Sequence, residues 1–212
     1  MTVTWSPENC SLSEEEYNSM KRADNREEKQ NNTEGRKKMQ YTAEIREIPE
    51  HIVYFKEYFV EDLTTFFDSM SKDNFLQDLS DRVLLENPEI ELTNPYTQSE
   101  ASDYNVLLFA DGEYKEKNVR IEFCDAVTAF GKDTDEYKFR AERAFTSLNI
   151  PHKGPYSKLA EAYDFAYRWM EQNGYQKSGC PRNSAIDGFW NREREEDYLT
   201  EIQIPVKKVI TK

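Results

Sequence analysis

Glycine, cysteine and histidine are scarce in this chain of 212 residues, which has seven, three and two of them. The few glycines are not clustered, so the sequence has no loop of the kind that cradles phosphates. The cysteines, Cys10, Cys124 and Cys180, are too scattered for a disulfide framework and lack metal-ligand spacing. His51 and His152 have no recognisable nucleophile beside them. These absences predict a protein without a metal, a cofactor or nucleophilic catalysis.

Long apolar runs are also missing. No stretch approaches the roughly 18 apolar residues of a membrane span, and hydrophobic residues make up only 37% of the chain. The first eight residues have neither the basic region nor the apolar core of a signal peptide. We therefore expect a soluble, cytoplasmic protein without a membrane partner.

Positive charge is in deficit, because 41 acidic residues face 28 basic ones and the formal net charge is -13. The deficit lies after residue 40, where 33 acidic side chains oppose 21 basic ones. Such a body repels nucleic-acid phosphates, so we expect no direct DNA or RNA binding by this chain. The negative charge of residues 41–212 favours the binding of cationic small molecules.

The chain divides into a short tail and one larger domain. Residues 1–38 have too few apolar positions for a stable lone helix and predict a flexible or partly helical tail. They are also too few for a winged DNA-binding domain, since domains rarely fall below about 50 residues. Residues 39–212 form the predicted domain.

Two stretches of this domain follow the same order of strand, helix, strand, strand. Helical periodicity is clear in each: the first apolar face comprises Leu63, Phe66, Phe67 and Met70, and the second Leu159, Ala162, Tyr163, Ala166 and Met170. The repeats span about residues 40–130 and 137–209, and the polar stretch 80–103 is a loop or short helix that lengthens the first one. The sequence predicts an α+β fold in which two pseudo-symmetric β-α-β-β repeats form a curved antiparallel sheet.

The last strand places a carboxylate in an apolar sequence. Side chains alternate across a strand, so Ile202, Ile204 and Val206 share one face and Glu201 and Gln203 the other. Glu122 occupies the matching place in the first repeat. By spacing alone such glutamates are usually the polar face of a half-exposed sheet, and Glu122 has a simple alternative in pairing with Arg120 on its own strand.

These residues resemble a known family. The segments that carry the resemblance are 152–156 (His-Lys-Gly-Pro-Tyr), the helix from Lys158 to Tyr175, Pro181-Arg182 and 200–206 (Thr-Glu-Ile-Gln-Ile-Pro-Val). Together they are similar to the GyrI-like small-molecule-binding domain, which also forms the effector-binding half of MerR-type and AraC-type multidrug-responsive transcription regulators. The resemblance covers about residues 40–209 and implies a central cleft for lipophilic, often cationic ligands.

The resemblance also assigns a role to the glutamates. It implies that Glu201 contacts the positive charge of the ligand, with Glu122 as its pseudo-symmetric partner. Many members of the family have a Glu and a Tyr after Pro-Arg, whereas this chain has Asn183, Ser184 and Ala185. A pocket aromatic is therefore missing here, and the ligand preference is expected to differ.

Aromatic residues make up 13% of the chain, and most must lie in the core. Phe109, Tyr156, Phe189 and Trp190 lie on strands or turns next to the glutamate strands and are candidates for lining the ligand cleft. Trp169 falls off the main apolar face of its helix and is a candidate for the cleft edge.

Three functions stay open from the sequence. The first is a drug-binding or drug-sensing module that takes a lipophilic, cationic ligand, with Glu201 as counter-ion. The second is a hydrolase of strained-ring genotoxic natural products, in which Glu201 or Glu122 activates water. The third is a protein-interaction module whose partner is DNA gyrase or a DNA-binding regulator. The natural ligand and the oligomeric state are not determined by the sequence.

Overall fold

The computed structural model describes residues 41–96 and 105–209, which contain ten strands and three α-helices. In chain order these are β1 (Glu44–Ile48), β2 (His51–Asp62), α1 (Leu63–Lys72), α2 (Phe75–Glu86), β3 (Leu92–Thr93), β4 (Val106–Phe109), β5 (Lys117–Val127), β6 (Lys138–Glu142), β7 (Phe145–Lys153), α3 (Leu159–Gln172), β8 (Tyr175–Lys177), β9 (Arg182–Asp187) and β10 (Leu199–Lys208). Two short 3₁₀ turns, Tyr156–Lys158 and Glu195–Asp197, precede α3 and β10. The predicted tail, residues 1–38, lies outside the described residues.

All ten strands belong to one antiparallel sheet, whose main order is β1-β7-β10-β9-β4-β5-β2-β6. From either end, the order begins with a five-residue strand that is followed by two longer strands. The short strand of each half pairs with the other half: β1 precedes β2 in the chain but pairs with β7, and β6 precedes β7 but pairs with β2. This exchange joins the two repeats at both edges of the sheet.

The sheet is strongly curled. Strands β9 and β6 are four intervals apart in the sheet order, which would separate them by roughly 19 Å in a flat sheet with 4.8 Å between strands. Nevertheless Nη1 of Arg182 on β9 lies 2.6 Å from Oε2 of Glu142 on β6. The face on which these side chains meet is therefore concave, and we call it the concave face.

The helices pack on the opposite face, where they form the main core with alternate strand residues. Ile202 and Ile204 of β10 are fully buried there, as are Ile121 of β5 and Leu148 of β7. The helix α3 contributes the five apolar residues that its periodicity predicts, Leu159, Ala162, Tyr163, Ala166 and Met170. Gly174 ends this segment with a φ of 67°, a left-handed conformation that glycine adopts without strain.

The predicted fold class is confirmed, including the curved antiparallel sheet built from two repeats. Three local features differ. The apolar pattern predicts one strand over residues 41–55, interrupted near Pro49, and one over residues 139–150, but each segment contains two strands that pair at opposite ends of the sheet. The helix α2 begins at Phe75, before the polar stretch 80–103. Among the described residues, no helix is both long and apolar enough to cross a membrane.

A buried hydrogen-bond cluster fixes α2 to the sheet. The hydroxyl of Tyr54 on β2 lies 2.5 Å from the Ser80 hydroxyl and donates to the carboxylate of Asp125 on β5. The Ser80 hydroxyl also donates to Oδ2 of Asp125, at 2.8 Å. Burial, followed by the nearby Asp125 carboxylate, raises the pKa of Tyr54 far above its usual value, so the phenol stays protonated and remains a donor.

Removing this hydroxyl should weaken the fold. Tyr54→Phe removes one buried hydrogen-bond donor from Asp125 and one buried partner from Ser80, which costs about 1–3 kcal/mol of unfolding free energy. The matched control is Tyr175→Phe, because the described residues offer no hydrogen bond to that half-buried hydroxyl. Urea denaturation of both variants measures the difference, and equal stabilities would contradict this account of the cluster.

Candidate functional site

The strand register places Glu201 on the concave face. It stands opposite Ser184 of β9 and Pro151 of β7, while Gln203, two residues on, stands opposite Arg182. Arg182 in turn stands opposite Leu108 of β4, and Leu108 stands opposite Glu122 of β5. Both glutamates of the sequence prediction therefore lie on one face, which carries charged groups although it is largely buried.

Glu201 is only 9% exposed and is held by one cation. Its Oε2 is in direct contact with Nη2 of Arg46, which reaches across from β1. Its Oε1 accepts a hydrogen bond of 2.8 Å from the side-chain amide of Gln203. The same guanidinium donates from Nη1 to the backbone carbonyl of Tyr96, at 3.3 Å. In the described part of the chain, Arg46 is the only ion-pair partner of Glu201.

Glu122 belongs to a larger network. Arg140 of β6 donates from Nη1 to Glu122 at 2.6 Å and from Nη2 to Glu142 at 2.8 Å. The other oxygen of Glu142 accepts from Arg182 at 2.6 Å. The suggested pairing of Glu122 with Arg120 is wrong, because the Arg120 side chain pairs with Asp111 at 2.9 Å. Two carboxylates and two guanidinium groups thus alternate along the network.

The two ion pairs at Glu201 and Glu122 are related by the repeat symmetry. Arg46 and Arg140 are each the third residue of a five-residue strand, and each strand is the one exchanged between the halves. Glu201 and Glu122 each stand opposite the seventh residue of the long strand of their own half. A carboxylate from one half is therefore matched by an arginine from the exchanged strand of the other, and this happens twice.

The charges of the network are fixed by its geometry. Burial on its own would raise the pKa of Glu142, but the guanidinium groups of Arg182 and Arg140 lower this pKa to about 2. Burial lowers the pKa of His51, against the opposing effects of the Pro49 carbonyl and Glu142. His51 is therefore neutral at pH 7: its Nδ1 donates to Pro49, and its Nε2 accepts from the Tyr96 hydroxyl at 3.0 Å.

Aromatic and aliphatic side chains surround these charges. The guanidinium carbon of Arg140 lies 4.3 Å from the centre of the Phe55 ring, and that of Arg182 lies 4.8 Å from the Phe145 ring. Several apolar side chains complete the face, namely Ile48, Val53, Tyr96, Val106, Leu108, Cys124 and Ala126. The concave face is thus an apolar surface in which three carboxylates and three guanidinium groups balance.

The predicted aromatic residues do not join the glutamates. Phe109 follows Leu108 and so points to the helix face, where it packs against Tyr114 and Tyr163. Tyr156 stacks on Phe67 with ring centres 4.5 Å apart and lines a cavity of about 80 Å³ beside α1.

The other three aromatic candidates also lie apart from Glu201. Trp169 stacks on Tyr175, also at the helix face. Phe189 and Trp190 pack edge to face in the loop after β9, and Trp190 is 51% exposed. Alternation separates Phe109 from Glu122 once the register is known, but the register itself was not available from the sequence.

Sequence reasoning missed the cations of the site. Arg46, Arg140 and Arg182 lie on three different strands, and their meeting depends on the exchange of the edge strands. The sequence contains a signal for two of them, because Arg46 and Arg140 occupy matching places just before the long first strand of each repeat. Arg182 stands out in the sequence only as part of the Pro181-Arg182 motif, which does not indicate a partner for it. No cluster of His, Cys, Asp and Glu within residues 41–96 and 105–209 could hold a metal ion.

Comparison with known proteins identifies the domain. The model of the GyrI-like small-molecule-binding domain matches residues 44–207. The crystal structure of the EcmrR C-terminal domain is 40% identical, with a TM-score of 0.69, over 81% of this chain and all of that one. The EcmrR chain in a cryo-EM structure of the EcmrR-DNA complex in EcmrR-RPo is 36% identical, with a TM-score of 0.68. That match covers 91% of this chain but 65% of EcmrR, so this chain spans just under two thirds of the regulator.

A more distant structure shares the fold. The crystal structure of a hydrolase from Listeria innocua is 13% identical, with a TM-score of 0.52, over 86% of this chain and 98% of that one. At this identity the likeness shows a common architecture only. A comparison with curated protein sequences gave no match.

Loss of the central carboxylate should destabilise the protein strongly. Glu142→Gln leaves two guanidinium groups with one fewer counter-charge in a buried site, and breaking such a pair costs about 3–5 kcal/mol. The control is Glu136→Gln, since Glu136 is a surface residue that pairs with Lys56 and Arg82 and should lose no more than about 1 kcal/mol. Urea denaturation distinguishes the two, and similar losses would contradict the central role of Glu142.

The same carboxylate predicts a pH dependence. Its pKa is lowered from about 4.5 to about 2 on folding, so its contribution is complete above pH 4.5 and is lost as the pH falls toward 2. The stability gap between the natural protein and Glu142→Gln should therefore narrow between pH 5 and pH 3. Denaturation at several pH values measures this gap, and a constant gap would show that Glu142 has no lowered pKa.

Proposed function

Because this chain belongs to the GyrI-like family of small-molecule-binding domains, we propose that it binds a lipophilic cation on the concave face. Glu201 supplies the counter-charge, and the positive group of the ligand takes the place that Arg46 occupies in the free protein. The carboxylate is 9% exposed, and a buried carboxylate is costly unless a cation accompanies it. When the ligand cation replaces Arg46, Glu201 still has a positive partner.

The single observation that carries the proposal is the difference between the two symmetric ion pairs. Arg140 is held by both Glu122 and Glu142, and Glu142 is held in turn by Arg182. Arg46 has one close carboxylate, Glu201, and only a 3.7 Å contact with the exposed Glu44. Opening the pair at Glu201 breaks fewer interactions, so Glu201 rather than Glu122 is the ligand contact.

Strand β1 makes that exchange easier. It has five residues, lies at the end of the sheet order and, among the described strands, pairs only with β7. The Arg46 side chain is 17% exposed, so it can turn outward without crossing the core. The acidic body, with a net charge of -13, favours the approach of cations from solvent.

The lipophilic part of the ligand is expected to contact the apolar residues of the same face. Tyr96 and Phe145 lie beside the charges, and Val106 and Leu108 lie at the centre of the sheet. Cation–π attraction of about 0.5–2 kcal/mol per well-placed ring adds to the contact with Glu201.

In the regulator EcmrR, the matching domain is one part of a longer chain found in a DNA complex. We infer that the present chain acts likewise as an effector module or as a drug-sequestering protein, and that any DNA contact is made by a partner or by another domain. The acidic balance of residues 41–212, 33 carboxylates against 21 basic groups, agrees with this division of roles.

Thermal denaturation with a panel of aryl cations and matched neutral analogues tests the proposal. A cation at 100 times its Kd should add about 2.7 kcal/mol to stability, which raises the midpoint of a domain of this size by roughly 5–10 °C. Glu201→Gln should weaken cation binding at least about tenfold, because the ligand charge is then buried without a partner.

The control is Glu44→Gln, which removes one exposed carboxylate near Arg46 and should leave the cation shift unchanged. Equal shifts with cations and neutral analogues, or a full cation shift in Glu201→Gln, would contradict the proposal. Conversion of a strained-ring alkylating ligand, followed by mass spectrometry, would instead support the hydrolase alternative.

A further inference from the structure

In the free protein the Arg46 guanidinium group lies against Glu201. Its chemistry indicates which kind of cation fits this position. We propose that the position beside Glu201 is built for a planar cation with N–H donors, an amidinium or guanidinium group, rather than for a quaternary cation. This inference rests on the proposed function and narrows its ligand class. Arg46 then acts as an internal competitor whose guanidinium group has the shape of the ligand's head group.

Two acceptors contact Arg46 at this position, and a third belongs to Gln203, whose amide donates a hydrogen bond to Glu201. Glu201 contacts one terminal nitrogen of Arg46, and the Tyr96 carbonyl accepts from the other at 3.3 Å. The third acceptor is the side-chain oxygen of Gln203, which is fully buried and has no hydrogen-bond partner in the described chain, although its amide nitrogen donates to Glu201. A buried acceptor without a donor is unfavourable, so this arrangement favours a ligand that brings several N–H groups.

A quaternary cation satisfies the charge of Glu201 but none of these acceptors. It has no N–H group, and its bulk is tetrahedral rather than flat. An amidinium or guanidinium group places two donors in one plane. Arg46 pairs with Glu201 through Nη2 and donates to the Tyr96 carbonyl through Nη1, but its Nη2 and Nε groups make no hydrogen bond in the described chain, so a ligand free of the β1 backbone can align its donors better. The loss of these donors should cost a quaternary ligand roughly tenfold in affinity.

The other cations of the concave face are also planar groups with N–H donors. The three cations that pair with Glu201, Glu122 and Glu142 are all arginines, and two of them lie over aromatic rings, Arg140 over Phe55 and Arg182 over Phe145. Guanidinium is planar and weakly hydrated, so it enters apolar surroundings and stacks on rings more readily than an ammonium group does. The face is therefore suited to flat, delocalised cations.

Removal of the Arg46 side chain should convert the internal competitor into an open site. The probes are phenylguanidinium and benzamidinium, with phenyltrimethylammonium as the quaternary control and benzamide as the neutral control. Calorimetric titration should show Arg46→Ala binding the two planar cations about tenfold or more tightly than the natural protein does, because no internal cation has to leave. Phenyltrimethylammonium should bind roughly tenfold more weakly, and benzamide should give no measurable binding.

Two further variants separate the effect of the Arg46 charge from the effect of the space that its side chain fills. Arg46→Met fills most of the space without a charge and should gain less affinity than Arg46→Ala. In the double variant Arg46→Ala/Glu201→Gln, the gain for planar cations should disappear. Circular dichroism confirms that each variant is folded before titration.

The outcomes separate this inference from the proposed function. If phenyltrimethylammonium binds Arg46→Ala as tightly as the planar cations do, the requirement for N–H donors is overturned, while cation binding at Glu201 stands. Lack of planar-cation binding by Arg46→Ala overturns this inference alone if the natural protein still binds lipophilic cations through Glu201. If Arg46→Ala binds the planar cations but the natural protein binds no cation at all, the inferred geometry is supported and the exchange in the proposed function is overturned.

Discussion

The match between buried carboxylates and arginines on the concave face is the constraint on which the rest of the structure depends. Three carboxylates and three guanidinium groups share a largely apolar surface, and each is tolerable there only because its partner is close. Arg182 and Glu142 come from strands four intervals apart in the sheet order, so these two charges meet only because the sheet curls. The exchange of β1 and β6 carries Arg46 and Arg140 to the opposite halves, where each meets its carboxylate.

The internal symmetry shows how the two ion pairs, Arg46 with Glu201 and Arg140 with Glu122, come to differ. Two equivalent ion pairs arise from the duplication, but Glu142 and Arg182 have no counterpart beside Glu201: the position that matches Glu142 in β1 is Ile48. One pair is therefore locked in a network and the other stands almost alone. In the function we propose, the isolated pair between β1 and β10 is the place where an external cation replaces an internal one without loss of charge balance.

Much of the fold was predictable from the sequence, because it rests on local periodicity. The faces of α1 and α3, the alternation in β10 and the repetition of the two halves all follow from the spacing of apolar residues. The pairing of β1 with β7 and of β6 with β2 was not predictable in this way, since it depends on contacts across the whole chain. For the same reason Glu201 and Glu122 were found from their strand context, whereas Arg46, Arg140 and Glu142 were not. Phe109 is a candidate for the ligand cleft by its place in the sequence, but its register turns it to the helix face.

A crystal structure of the natural protein with an aryl amidinium bound would test the central claim most directly. The account predicts that the cationic group of the ligand lies within hydrogen-bond distance of Glu201, and that the Arg46 guanidinium has turned away from it, while Arg140 keeps its contacts with Glu122 and Glu142. A ligand bound elsewhere, with Arg46 still on Glu201, would contradict the claim that the two cations exchange.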